Sequence, residues 1–192
     1  ADARRKAAEA EAKLEADTKS AERKSATAKE ALEKWGASAL TLKGFKVTES
    51  DIQPYEEAIN KQNDIAKEQE KKIKEILEKA GFSKETVDYV LKNGLTKDFY
   101  KNLGTFDISI DDLSVVANML QTRANALESG KKLTGELTTL LGGRTATQYR
   151  NQKKIAEQEE EFWRGQKDET NASAVKAWQD VMNQPTKNEI AN

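Results

Sequence analysis

Residues 52–80 read IQPYEEAINKQNDIAKEQEKKIKEILEKA. Ile52, Ile59, Ala66, Ile73 and Ala80 recur every seventh residue, and Tyr55, Ile76 and Leu77 widen the same stripe. Apolar residues returning at that period among charged neighbours mark an amphipathic helix packed along one seam. Gln62 and Gln69 interrupt the companion positions. Glu57–Lys61, Glu68–Lys72, Glu70–Lys74 and Glu75–Lys79 are i,i+4 pairs in the favourable order, each worth about 0.2–0.5 kcal/mol on an exposed face. With Asp51 as N-cap, Pro54 falls in the first turn, where its missing N–H costs little. Ala80-Gly81-Phe82 reads as a helix end with glycine just past the last turn.

The pattern extends in both directions. Upstream, Ala7, Leu14, Ala21, Ala28 and Trp35 keep the seven-residue repeat in a stretch rich in Ala, Glu, Lys and Arg. One helix over 1–35 is expected, with a narrow alanine seam suited to close packing against a partner helix and a stop at Gly36. Residues 36–50, where Leu40, Leu42, Phe45 and Val47 alternate for part of the way, suggest a short strand or a packed loop. Downstream, Ser83 and Thr96 are candidate caps of two short helices carrying Val87, Val90, Leu91, Phe99, Tyr100 and Leu103. Phe106, Ile108 and Ile110 alternate with Asp107 and Ser109, the pattern of a half-buried strand. A third long helix starts at Asp111 or Asp112, with a stripe of Leu113, Val116, Leu120, Ala124 and Leu127 that resumes at Leu133, Leu137, Leu140 and Leu141. Gly142-Gly143 is the strongest break. A last helix over roughly 146–182 carries Tyr149, Ile155, Phe162, Trp163, Val175, Trp178 and Met182. The resulting fold class is mainly α: long antiparallel, coiled-coil-like helices in one elongated domain over 1–192, with a small mixed insertion at 82–110 and a loose tail at 183–192.

Composition narrows the function. Among 192 residues there is no Cys and no His, and 32 Lys and Arg nearly balance 33 Asp and Glu. Thiol catalysis, disulfides, zinc fingers and histidine acid–base chemistry are thereby excluded. Over residues 1–35 opposite charges alternate within each turn, leaving no basic stripe to follow a phosphate backbone, so no nucleic-acid partner is expected. No apolar run is long enough for a membrane span, and Ala1–Lys13 lacks the apolar stretch of a secretion signal. With 10 Gly and only 2 Pro, and with apolar residues in helical period, the chain does not read as disordered despite its charge.

No constellation of side chains carries catalysis, a metal or a cofactor. Glu157, Glu159, Glu160 and Glu161 could serve acid–base chemistry only if burial separated their pKa values, and a charge run is usually a solvated face. Asp107, Asp111 and Asp112 lack the glycine and closing glutamate of a calcium loop. Leu141-Gly142-Gly143-Arg144-Thr145 lacks the spacing and the preceding strand of a phosphate loop. The informative side chains are the aromatics on otherwise polar helices, Trp35, Phe162, Trp163 and Trp178. Each is either a packing anchor or an interface hot spot. Trp35 is expected inside the seam. Phe162 and Trp163 are adjacent and cannot face one way, so one of them should be exposed or covered by another subunit.

Residues 83–94, SKETVDYVLKNG, and 106–141, FDISIDDLSVVANMLQTRANALESGKKLTGELTTLL, together resemble the C-terminal half of type III secretion translocator filament and needle-tip proteins. Val87, Tyr89 and Val90, the Asp107-Ile108-Ser109-Ile110 segment and the helix containing Ala124-Asn125-Ala126-Leu127 carry the resemblance. It implies a long antiparallel coiled coil with small insertions, and a structural role in a secreted assembly at the bacterial surface. Filament members carry apolar terminal helices; here Ala1–Trp35 and Gln152–Asn192 are polar, a departure from that pattern.

The expected function is that of a structural or interaction protein working through helical surfaces, by self-assembly or with protein partners. The alternatives are another helical rod module, such as a bacteriocin receptor-binding rod or a phage structural or ejection component, and an enzyme using buried carboxylates.

Overall fold

The computed structural model describes residues 1–104 and 106–184. The chain is mainly α. Six helices follow one another: α1 (Asp2–Lys43), α2 (Glu49–Lys79), α3 (Lys84–Asn93), α4 (Lys97–Lys101), α5 (Ile110–Leu140) and α6 (Ala146–Met182), with no strand among the described residues. They group into two compact units, one of residues 1–46 and 148–192 and the other of residues 47–147.

The second unit is a helical hairpin with a capped end. α2 and α5 run antiparallel: Glu70 meets Arg123 at 3.8 Å, and Gly130 packs where a side chain would touch Gln62 and Asn63. The repeat that opened the sequence faces inward, with Ile52, Ala66, Ile73 and Leu77 buried. On α5 the facing residues are Leu113, Val116, Ala126, Gly130 and Leu137. Ala124 and Leu127, expected in that stripe, point outward, and Leu127 is 44% exposed. The line through Val116 passes instead through Arg123, whose Nη1 donates to the Leu91 carbonyl at 3.0 Å. A charged side chain at a seam position hid the true register. At the capped end α3 and α4 close over the hairpin, and Phe82, Val87, Val90 and Phe99 join Ile73, Leu77, Leu113 and Val116 in one apolar cluster.

Four boundaries differ from the sequence expectation. Helix α1 runs through Gly36 to Lys43, because Ser38 and Leu42 continue the seam beyond Trp35 while Gly36 lies on the outer face with open space around it. No strand or loop therefore occupies 36–43. Helix α2 starts before Asp51: Thr48 is the N-cap, and the Asp51 carboxylate accepts from the Thr48 N–H and hydroxyl, both at 3.0 Å. Pro54 then lies inside the helix rather than in its first turn. Among its described residues the insertion holds helices and no strand. Ile110, 84% exposed, opens α5, and the alternation at Phe106–Ile110 has no second strand to pair with among the described residues. α5 starts at Ile110 rather than at Asp111 or Asp112, and Ser109 caps it by accepting from the Asp112 N–H at 3.0 Å. Ser83 and Thr96 cap α3 and α4 as their spacing implied. Gly81, Gly142 and Gly143 take positive φ at the ends of α2 and α5, where the chain must reverse. Of the tail, Asn183 and Gln184 continue α6 in a turn; Pro185 and the rest of 185–192 lie outside the described residues.

Candidate functional site

The first unit pairs α1 with α6, and its seam is built from small and polar residues. On α1 the buried positions are Ala21, Ala31 and Ser38; on α6 they are Tyr149, Ala156 and Ala174. Lys153, Glu160, Trp163, Lys167 and Thr170 occupy the intervening α6 seam positions, each half-buried. The two helices are antiparallel. Phe45 meets Tyr149 with ring centroids 5.5 Å apart, Trp35 meets Glu160, and the Gln184 side-chain amide donates to the Asp17 carboxylate.

Two of the four aromatics singled out in the sequence lock this register. The Trp35 indole N–H donates to Glu160 Oε1 at 3.1 Å, and the Lys167 ammonium lies 4.1 Å from the Trp35 ring centroid. Lys34 answers from α1, with its ammonium 4.7 Å from the Trp163 ring. Arg164 Nη1 approaches Glu160 Oε2 at 3.5 Å. A cation over an indole face is attracted by the ring quadrupole, and desolvation strengthens the contact. Trp35 and Trp163 are thus packing residues of the pair, and the acidic run of α6 sends Glu160 into its seam. Within the run, Glu157, Glu159 and Glu161 are exposed.

The other two aromatics face outward or border a hollow. Phe162 is 56% exposed and edge-on to Trp163 at 5.0 Å. Trp178 forms the wall of an open groove of about 480 Å³ between α1 and α6, with Ala28 and Leu32 on one side and Val175 and Met182 on the other. Leu32 is 51% exposed, Val175 50% and Met182 81%. Of the apolar residues carried by α6, Ile155, Val175 and Met182 lie off its seam. Sequence reasoning missed the groove because it followed the large apolar residues. The seven-residue series Tyr149, Ala156, Trp163, Thr170, Ala177 marks the seam, but Lys153, Glu160 and Lys167 beside it conceal it.

Among the described residues no group of three or more Asp and Glu side chains could hold a metal ion, and no helix is long and apolar enough to cross a membrane. Searches for a matching protein-family model, curated protein or solved structure each returned no match.

Proposed function

We propose that this chain is a non-catalytic structural and interaction protein, binding another helical protein surface, from a second copy or a partner, through the outer face of the α1–α6 pair. One observation carries the reading. The pair turns Leu32, Val175, Trp178 and Met182 to an open groove, while its own seam is filled by alanine, serine, charged residues and the rings of Trp35, Tyr149 and Trp163. An apolar groove beside long helices suits an amphipathic helix laid along it. Balanced charge favours a protein partner over nucleic acid. The resemblance over 83–141 makes a secreted translocator filament or needle-tip component the specific form of this proposal.

Sedimentation of the full chain over a range of concentrations tests it. Concentration-dependent assembly is expected, weakened in Trp178→Ala by more than about 1 kcal/mol, as for an interface anchor. Phe162→Ala probes the opposite flank in the same assay. A strict monomer at every concentration, indifferent to both substitutions, rejects self-assembly.

A further inference from the structure

The capped end of the α2–α5 hairpin contains a second hollow, of about 280 Å³, between α3, α4 and the segment leading into α5. Its apolar walls are rings. Phe82 and Phe99, both buried, sit 5.5 Å apart, and Phe106 stacks on Phe82 at 4.3 Å with only 24° between the planes. Tyr89 completes the wall, its hydroxyl tied to the Thr96 hydroxyl at 2.7 Å. Phe82 and Phe99 belong to the main apolar cluster, Tyr89 packs against it, and Phe106 reaches it through Phe82. Its charged lining is of one sign. Glu85 and Asp98 border it, both exposed, and among the described residues no lysine or arginine does. The α1–α6 groove, by contrast, carries Lys29 and Lys167, and the hollow beside Leu91 carries Lys92 and Arg123.

Glu85 and Asp98 each lie in the first turn of a helix, where the helix dipole favours an acid. That accounts for their presence but not for both bordering one hollow walled by rings, and α4 has only five residues to supply a dipole. Aromatic faces combined with carboxylates make a site for a cation. A planar guanidinium suits it best, since it stacks on a ring while its N–H groups reach carboxylate oxygens. The volume falls just below that of ligand pockets, which run from about 300 to 1,000 Å³, and so suits a single side chain better than a cofactor. We propose that this hollow receives an arginine side chain of a protein partner. The proposal takes from the reading above only that the partner is a polypeptide; it uses residues of the second unit alone.

The test is a titration of the full chain with three capped tripeptides, Gly-Arg-Gly, its citrulline counterpart and Gly-Lys-Gly, followed by amide and aromatic-ring NMR shifts. Saturable shifts confined to α3, α4 and the Phe106 region are expected with the arginine peptide. The citrulline peptide, of the same shape without the charge, should bind about tenfold more weakly, and the lysine peptide should fall between. The double variant Glu85→Gln/Asp98→Asn should reduce arginine binding by about tenfold, and Phe106→Ala should weaken it through the ring wall. Glu128→Gln, which removes an acid that does not line the hollow, should leave it unchanged, and spectra of the variants away from α3 and α4 report that the fold is retained. Equal binding of the arginine and citrulline peptides, an unaffected double variant, or shifts that never saturate would each overturn the proposal. None of these outcomes bears on the sedimentation result, so the two readings fail separately.

Discussion

At the start of α2 the Asp51 carboxyl is held below its ordinary value of 3.8, first by the Thr48 backbone N–H and then by the Thr48 hydroxyl. Because the folded value is the lower one, the ionised form favours the helix. The contribution is complete above the ordinary value and is lost as pH falls through the folded one. Asp51→Asn should therefore destabilise at neutral pH and become indistinguishable from the wild type in acid, as read from denaturant midpoints at a series of pH values. A constant gap across that series would show that the cap does not titrate. At the α1–α6 seam, Trp35→Phe keeps a ring but removes the donor to Glu160, whose side chain is only 13% exposed. A loss of about 1.5–3 kcal/mol is expected, the net value of a hydrogen bond to a charged group. A double-mutant cycle with Glu160→Ala isolates the term, and zero coupling would mean that the indole N–H does not set the register.

The helices differ in how plainly their sequences announced them. In α2 the inward positions are the apolar ones, so the repeat from Ile52 to Ala80 gave both the helix and its buried face. In α5 the charged Arg123 and the bare Gly130 occupy inward positions, and reading by hydrophobicity alone shifted the stripe onto Ala124 and Leu127. In α6 the same effect is larger. Lys153, Glu160 and Lys167 lie in the seam, while Ile155, Val175 and Met182 lie off it. Gly36 looked like a stop because glycine costs about 1 kcal/mol inside a helix, a penalty that continued seam packing overrides here. The cap pocket was invisible because Glu85 and Asp98 are separated from Phe106 by turns whose path no periodicity records. The corrected α5 register has a direct test. Leu77→Ala, at a fully buried position facing α5, should cost about 2–5 kcal/mol, whereas Leu127→Ala should cost under about 1 kcal/mol. Urea midpoints give the order, and equal losses would return Leu127 to the core.

Across the whole chain, large buried side chains are unevenly shared. The cluster around Ile73, Leu77, Val90, Phe99 and Val116 belongs entirely to the second unit. The first unit relies on alanines, on ring contacts and on Lys–Trp and Glu–Trp pairs along helices as long as α1, which extends about 63 Å for its 42 residues. Burial of apolar area is the main stabilising term, so local opening should come first where least of it is buried. Amide hydrogen exchange should be slower at Ile73, Leu77, Val90 and Val116 than at Ala21, Ala31 and Ala156. Equal protection in both sets would indicate a single cooperative structure. A helix pair of modest internal stability with an open apolar groove is also one that a partner could stabilise by binding it.

All three tryptophans, Trp35, Trp163 and Trp178, belong to the α1–α6 unit, and the α2–α5 hairpin with its cap has none. Indole fluorescence is therefore an intrinsic label for one unit, with no probe to be introduced. Far-ultraviolet dichroism sums over every helix, whereas emission follows the first unit alone, at the rings that Lys34 and Lys167 overlie. Where the two signals separate during denaturation or partner binding, the part of the chain that responds is identified by its light.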